Sequence, residues 1–181
     1  MEMVALGWLI FDLTDSTFML GVGFSARIFP FFFLGILSGA VADRVDRRIF
    51  LRFITLSTSM VAMLMALVIS LDLAGILNLI ALTAATGGCF AFTQTVRNAY
   101  THDIVGSEYA LNGISLTSIA QRLGGIIGSL GAGLIIALMG VANLYICVAT
   151  CYLVATLILM ATQEVGRAAP SKRDSVLRNL V

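Results

Sequence analysis

Gly39-Ala-Val-Ala-Asp43-Arg44-Val-Asp46-Arg47-Arg48 is a polar island between two long apolar runs, one from about Phe18 to Ala42 and the other from Ile49 to Leu71. Six charges fall within ten residues here (Asp43, Arg44, Asp46, Arg47, Arg48 and Arg52), although charged residues make up only 12% of the chain. Each flanking run exceeds the roughly 20 apolar residues that cross a hydrocarbon core of ~30 Å as a helix. A short arginine-rich loop between two such runs stays on the cytoplasmic side of a membrane. This one segment therefore sets both the fold class and the expected orientation.

Outward from the island, the same apolar texture continues. The chain has 181 residues and is 59% hydrophobic, with a mean hydropathy of +1.00. A water-soluble domain would carry about twice the charge. The pattern predicts an all-α membrane bundle over 1–165, with a partial helix at 1–13 and spans at about 18–42, 49–71, 74–97, 111–139 and 141–163. Helices follow because backbone groups in lipid must be paired within their own segment, and the runs lack the alternation of barrel strands. Tight turns are expected at Asp12–Thr17, near Asp72 and near Gly140–Asn143, and longer polar connections at 43–48 and 98–110. Residues 166–181, with Pro170, read as a cytoplasmic tail or linker. The first residues lack a basic n-region and a cleavage pattern, so they are not a signal peptide. The apolar run before Asp12 is too short to span. The first helix is either interfacial, or the chain begins partway through a membrane helix.

Basic residues are divided unevenly between the two sides. Arg44, Arg47, Arg48, Arg52, Arg97, Arg167, Lys172, Arg173 and Arg178 fall on one side if the spans alternate, and the opposite turns hold only Asp12, Asp15 and Asp72. That asymmetry predicts a multi-pass protein of the cytoplasmic (inner) membrane with its C-terminus in the cytoplasm. Two arginines remain within spans. Arg27 either faces a cavity or partner, or snorkels to the outer interface. Pro30, just after it, removes a backbone hydrogen bond and predicts a kink. Arg122 joins Gln94, Asn112 and Gln121 as polar residues on the inner halves of their spans. With Arg27 they are the candidates for a substrate path, the alternative being hydrogen bonds between helices. Glu2 would lie deep in the membrane if the first helix is partial, where a proton-coupling role competes with an altered chain start.

Small residues mark close helix approaches. Gly35 and Gly39 form a GxxxG pair, and Gly124, Gly125 and Gly128 lead a glycine-rich stretch in the fifth span. The pattern says that these spans pack closely on something without naming it.

Several chemistries are excluded. Cys89, Cys147 and Cys151 lie inside apolar runs and His102 is the only histidine, so no metal-ligand spacing exists. No phosphate-cradling loop is present. Gly128-Ser129 lacks a base within reach for a serine nucleophile, since His102 is far along the chain. The expectation is no enzyme, no cofactor, no metal and no nucleic-acid partner.

The island resembles the loop between helices 2 and 3 of the major facilitator superfamily: Gly39, three residues, Asp43-Arg44, two residues, then Arg47-Arg48. Asp46 stands where many members have Gly. The stretches Trp8-Leu-Ile-Phe-Asp12-Leu-Thr14, Leu20-Gly21 and Ala26-Arg27-Ile-Phe-Pro30 look like the first two helices of an efflux branch related to enterobactin exporters. Phe90-Ala-Phe92, Arg97-Asn-Ala and Asp103-Ile-Val resemble the end of its fourth helix. Ala110-Leu-Asn112 and Arg122-Leu-Gly124 resemble its fifth, with Gly125 in place of a Pro and Gly128-Ser129 in place of a glycine pair. The resemblance implies the N-terminal six-helix half of a transporter that exports a small molecule, such as a drug or siderophore, by proton-coupled alternating access. It also implies a cytoplasmic gate of Gly39, Asp43, Arg44, Arg47 and Arg48, with Arg97 as the partner of Asp43. The partners would be the lipid bilayer, a small-molecule substrate, and a missing C-terminal six-helix half or a second copy of the chain. The competing reading is a non-transporting assembly subunit, or a truncated product, that self-associates through its glycine faces.

Overall fold

A computed structural model describes residues 1–42 and 45–161. The expectations for Asp43, Arg44 and the tail 166–181 lie outside the described residues. Within them the chain is helical with no strand: α1 (Glu2–Thr14), α2 (Thr17–Ala42), α3 (Arg47–Ser70), α4 (Ile76–Met139) and α5 (Val141–Ala161). All but α1 are long and apolar enough to cross a membrane. Their surfaces display many large apolar side chains, Phe18, Phe32, Leu77, Leu111 and Leu130 among them. Such a surface is suited to lipid and not to water.

α4 has 64 residues and is two arms, 76–105 and 107–139, meeting at Gly106 with φ 77° and ψ 167°. Glycine is the residue that reaches this positive φ without steric cost. The arms fold back on each other. Gln121 Nε2 donates to Gln94 Oε1 at 2.9 Å across them, and Leu79 and Ala132 share one core cluster. The polar connection expected at 98–110 is therefore helix, broken only at Gly106. Its polar residues belong to a helix surface: Thr101 Oγ1 donates to the Arg97 carbonyl at 2.9 Å and Asp103 accepts from Arg47 at 2.6 Å. A helix with a polar end and a loop read alike by hydropathy.

The other reversals are tight, as the turn residues imply. Asp15 (φ 48°) and Asp72 (φ 57°) adopt the left-handed region, as does Gly140 (φ 85°), and Asp tolerates it better than most residues. At the island, Asp46 caps α3, its carboxylate accepting from the amides of Arg48 at 3.0 Å and Ile49 at 3.3 Å. That cap starts the helix at Arg47, slightly ahead of the apolar run. α2 continues as helix through Pro30.

Packing follows from interhelical hydroxyls and small residues. Ser38, fully buried, shares a 2.8 Å hydroxyl contact with Thr95 and joins α2 to the first arm of α4. Ser59 Oγ donates to the Ala149 carbonyl at 2.8 Å and joins α3 to α5. Most other Ser and Thr hydroxyls turn back on their own helix, as Thr55 does to Leu51, which keeps them satisfied in an apolar setting. One core cluster gathers Ala5, Leu9, Met65, Leu79, Ala132, Leu144 and Tyr145. The described arginines collect at the end formed by the start of α3, the bend of α4 and the end of α5, apart from Arg27 and Arg122.

Candidate functional site

Arg27 does not snorkel. Its Nη2 donates to Glu2 Oε2 at 2.7 Å, and the two side chains are only 14% and 10% exposed. Glu2 lies twelve residues from the end of α1 and Arg27 ten from the start of α2, ~18 and ~15 Å at the helical rise. Both therefore lie about three helical turns from the α1–α2 turn. What places Arg27 is a close crossing of α2 on the first arm of α4. A Cβ added at Gly87 would stand 2.1 Å from the Arg27 carbonyl oxygen. Only glycine permits that approach. A looser contact sets α1, where a Cβ on Gly23 would meet the flexible tip of Ile10 at 2.1 Å.

The ion pair opens onto a cavity of ≈ 490 Å³, with Gln121, Phe90, Cys151 and Tyr152 among its walls. Four helices contribute: α1, α2, both arms of α4, and α5. A hydrogen-bonded chain runs from it toward the bend of α4. Gln121 donates to Gln94 Oε1, and Arg97 donates to the same oxygen. Two buried atoms in this region have no hydrogen-bond partner, Glu2 Oε1 and Arg97 Nε. A second groove of ≈ 490 Å³ between α2, α3 and α4 is apolar apart from Ser57 and Cys89. Polar chemistry thus converges on the first cavity.

The end that carries Arg47, Arg52 and Asp103 is tied by a separate set of contacts. Arg47 Nη1 reaches both carboxylate oxygens of Asp103 at 2.6 Å and the Ala99 carbonyl at 3.4 Å. Together these tie the start of α3 to the bend of α4. Arg52 donates to the carbonyls of Leu159 at 2.9 Å and Met160 at 3.2 Å. A cation here also complements the negative end of the α5 dipole. Arg48 Nε is buried without a partner.

Of the residues singled out from sequence, Arg27 and Gln121 line the cavity, and Gln94 and Arg97 are joined to Gln121 by hydrogen bonds without being among its walls. Asn112 and Arg122 stand exposed and are not among its walls. Helix periodicity explains this: nine residues separate Asn112 from Gln121, about 180° around the helix. Arg97 was paired with Asp43 in the sequence reading. Its described side-chain partner is Gln94, and Asp43 is outside the described residues. The glycines also divide unexpectedly. Positions Gly35, Gly39, Gly124 and Gly125 have nothing within 4 Å of an added Cβ, while Gly128 faces Met1 at 3.4 Å. Sequence reasoning missed Gly87, the pairing of Glu2 with Arg27, and Asp103 as the partner of Arg47. An unpaired acid and base in neighbouring apolar helices was the available signal for Glu2.

Compared with known proteins, the whole chain, residues 1–181, matches the family model described as "Transmembrane secretion effector". A curated relative, the "Staphyloferrin A transporter" of Staphylococcus aureus (strain NCTC 8325 / PS 47), is 25% identical over 159 residues. That alignment covers 87% of this chain and 40% of the relative, so the chain spans about two fifths of that protein's length. No solved structure matches the chain. Apolar spans, the arginine island and a family match over the full length agree: this chain belongs to the transmembrane secretion effector family of the major facilitator superfamily.

Proposed function

We propose that the chain forms the N-terminal six-helix half of a secondary active transporter that exports a small molecule across the cytoplasmic membrane by alternating access. The observation that carries this reading is the buried Glu2–Arg27 pair lining a cavity among apolar helices, which on this reading lies at mid-membrane depth. Ionised side chains there are costly and are retained where a solute or ion passes. Binding at mid-depth between two rocking bodies is the logic of such transporters. Proton coupling is part of this proposal, with Glu2, the carboxylate of the pair, as its candidate residue. The Arg47–Asp103 and Arg52–α5 contacts support a cytoplasmic gate, with Gly39, Asp43, Arg44 and Arg48 as its further members and the tail on the cytoplasmic side.

The cavity is open where Gln121 and Gly125 are exposed, so a second six-helix body completes it. The bare faces at Gly35, Gly39, Gly124 and Gly125 also favour the alternative of a second copy of this chain, as a self-associating assembly subunit. The test is flux of staphyloferrin A, the solute in the relative's name, across proteoliposomes under an imposed proton gradient. This chain would be reconstituted alone and with a C-terminal half. Flux only with the second half is expected. Flux from a purified monomer of these 181 residues would overturn the half-transporter reading. Full oligomerisation without flux in either arrangement would favour the subunit.

A further inference from the structure

Two thiols lie outside the ion pairs and the hydrogen-bonded chain. Cys147 and Cys151 stand one turn apart on α5, and their side chains are in direct contact. Both are free cysteines, Cys147 half-buried and Cys151 exposed. Cys151 is a wall of the first cavity. The pair can therefore be reached from the cavity through Cys151.

Helix geometry decides what such a pair can hold. Residues four apart on a helix have Cβ atoms about 5–6 Å from each other. A disulfide requires about 3.5–4.5 Å, so closing one would bend α5. Two sulfurs on opposite sides of a metal, each at the roughly 2.3 Å of a metal–thiolate bond, stand ~4.6 Å apart. The pair reaches that span with its helix intact.

Ligand count then selects the ion. Structural zinc takes four ligands, and magnesium and calcium take six or more, mostly oxygens. Among the described residues no group of three or more His, Cys, Asp and Glu side chains could hold a metal. The spacing that excludes such sites does not reach a two-ligand one. A soft ion content with two thiolates remains, and thiolate and thioether donors select soft ions. Met1 and Met3, which carry thioethers, are walls of the same cavity as Cys151. The charges agree. Glu2 and Arg27 offset each other, and the Met1 amine is positive. A monovalent ion between two thiolates carries one net negative charge, opposite in sign to that surplus. We propose that Cys147 and Cys151 form a two-coordinate site for a soft monovalent cation of the Cu(I) class, loaded from the cavity. On binding, each thiol releases its proton to water and its sulfur donates a lone pair to the ion. Two protons leave per ion bound, and no oxidation state changes. The site requires neither flux nor a second body, so it stands or falls apart from the transport reading.

The test titrates the purified chain, in mild detergent with ascorbate to keep copper reduced, against Cu(I) held as its purple bicinchoninate complex. Loss of colour is expected to stop at about one ion per chain, with about two protons released per ion to a pH indicator in weak buffer. Cys147→Ser and Cys151→Ser should each abolish the withdrawal of copper, and Cys89→Ser should leave it unchanged. Ile146→Cys with Cys147→Ser keeps two thiols on α5 but sets them about 140° apart around the helix, and should also fail. Size exclusion identifies a variant that does not fold, and the unaltered and Cys89→Ser chains decide in that case. No withdrawal by the unaltered chain, one ion per two chains, loss of binding in Cys89→Ser, or retention by either α5 serine variant or by the shifted pair would overturn the inference.

Discussion

The two arms of α4 differ in what most of their glycines meet, although on the second arm Gly113 packs against Thr101 and Val105 and both Gly128 and Gly131 face Met1. On the first arm, Gly87 presses against the Arg27 backbone and Gly88 against Leu34, where an added Cβ would stand 2.1 and 3.1 Å away respectively. On the second arm, Gly124, Gly125 and Gly133 face open space. The second arm has the denser glycine pattern and drew attention in the sequence, yet the sparser pair on the first arm holds this bundle together. Glycine density reports that a close approach is made, not in which body the partner lies. The close approaches of the first arm lie within this bundle, whereas Gly124, Gly125 and Gly133 leave a bare face on the second.

The largest expected effect of breaking this contrast is at Gly87. Gly87→Leu puts a branched side chain into the α2 backbone, which cannot yield as a flexible tip can. The cost should exceed the ~1–3 kcal/mol usual for overpacking, and the protein should fail to run as a single peak on size exclusion in mild detergent. A folded Gly87→Leu protein would mean that the α2–α4 crossing is not made as described.

Next is the ion pair that this crossing positions. Arg27→Met leaves Glu2 buried and alone, and should destabilise by about 3–5 kcal/mol. The double variant Glu2→Met, Arg27→Met removes both charges and should recover most of the thermal stability. If the double variant is as unstable as the single one, the two residues are not a pair.

A smaller effect is expected at the arginine-bearing end. Asp103→Asn weakens the contact with Arg47, which is partly exposed at 24% and 15%, and should cost about 1 kcal/mol or less. On the proposed reading of this contact as part of a gate, its clearer signature is a changed transport rate at unchanged expression, since it loosens the tie between α3 and α4 without touching the cavity. The smallest stability change should come from Gly124→Leu, within about 0.5 kcal/mol in the isolated chain. The same substitution should disrupt assembly with a second body, read as loss of the larger species on size exclusion. A marked loss of stability in the isolated chain would erase the difference between the arms.

Much of the fold was legible in the sequence, because run length and charge asymmetry act directly on how a chain meets lipid. The helices around Asp15, Asp72 and Gly140 fall where the turn residues put them. The stretch 98–110 was read as a polar connection, and the chain reverses within it at Gly106, but the residues on either side are helical, because a helix end that carries Thr101 and Asp103 looks polar whether or not it is coiled. Arg27, Gln94 and Gln121 stood out in the sequence because polar residues inside apolar runs are conspicuous. Their arrangement was not, since it depends on the rotation of each helix about its axis. That rotation put Asn112 on the far side from Gln121 and brought Glu2 against Arg27. Gly87 was invisible for a related reason: a single glycine announces nothing until the helix it meets is known.

The claim on which the functional reading depends is that solute passes the Glu2–Arg27 centre. The direct measurement is staphyloferrin A flux in proteoliposomes by the transporter assembled from this chain and a second six-helix half. The Glu2→Met, Arg27→Met double variant is compared with the unaltered protein after both are shown to be folded by thermal unfolding. Flux should fall to the level of empty liposomes while stability is largely kept. Undiminished flux through a cavity stripped of both charges would contradict the reading.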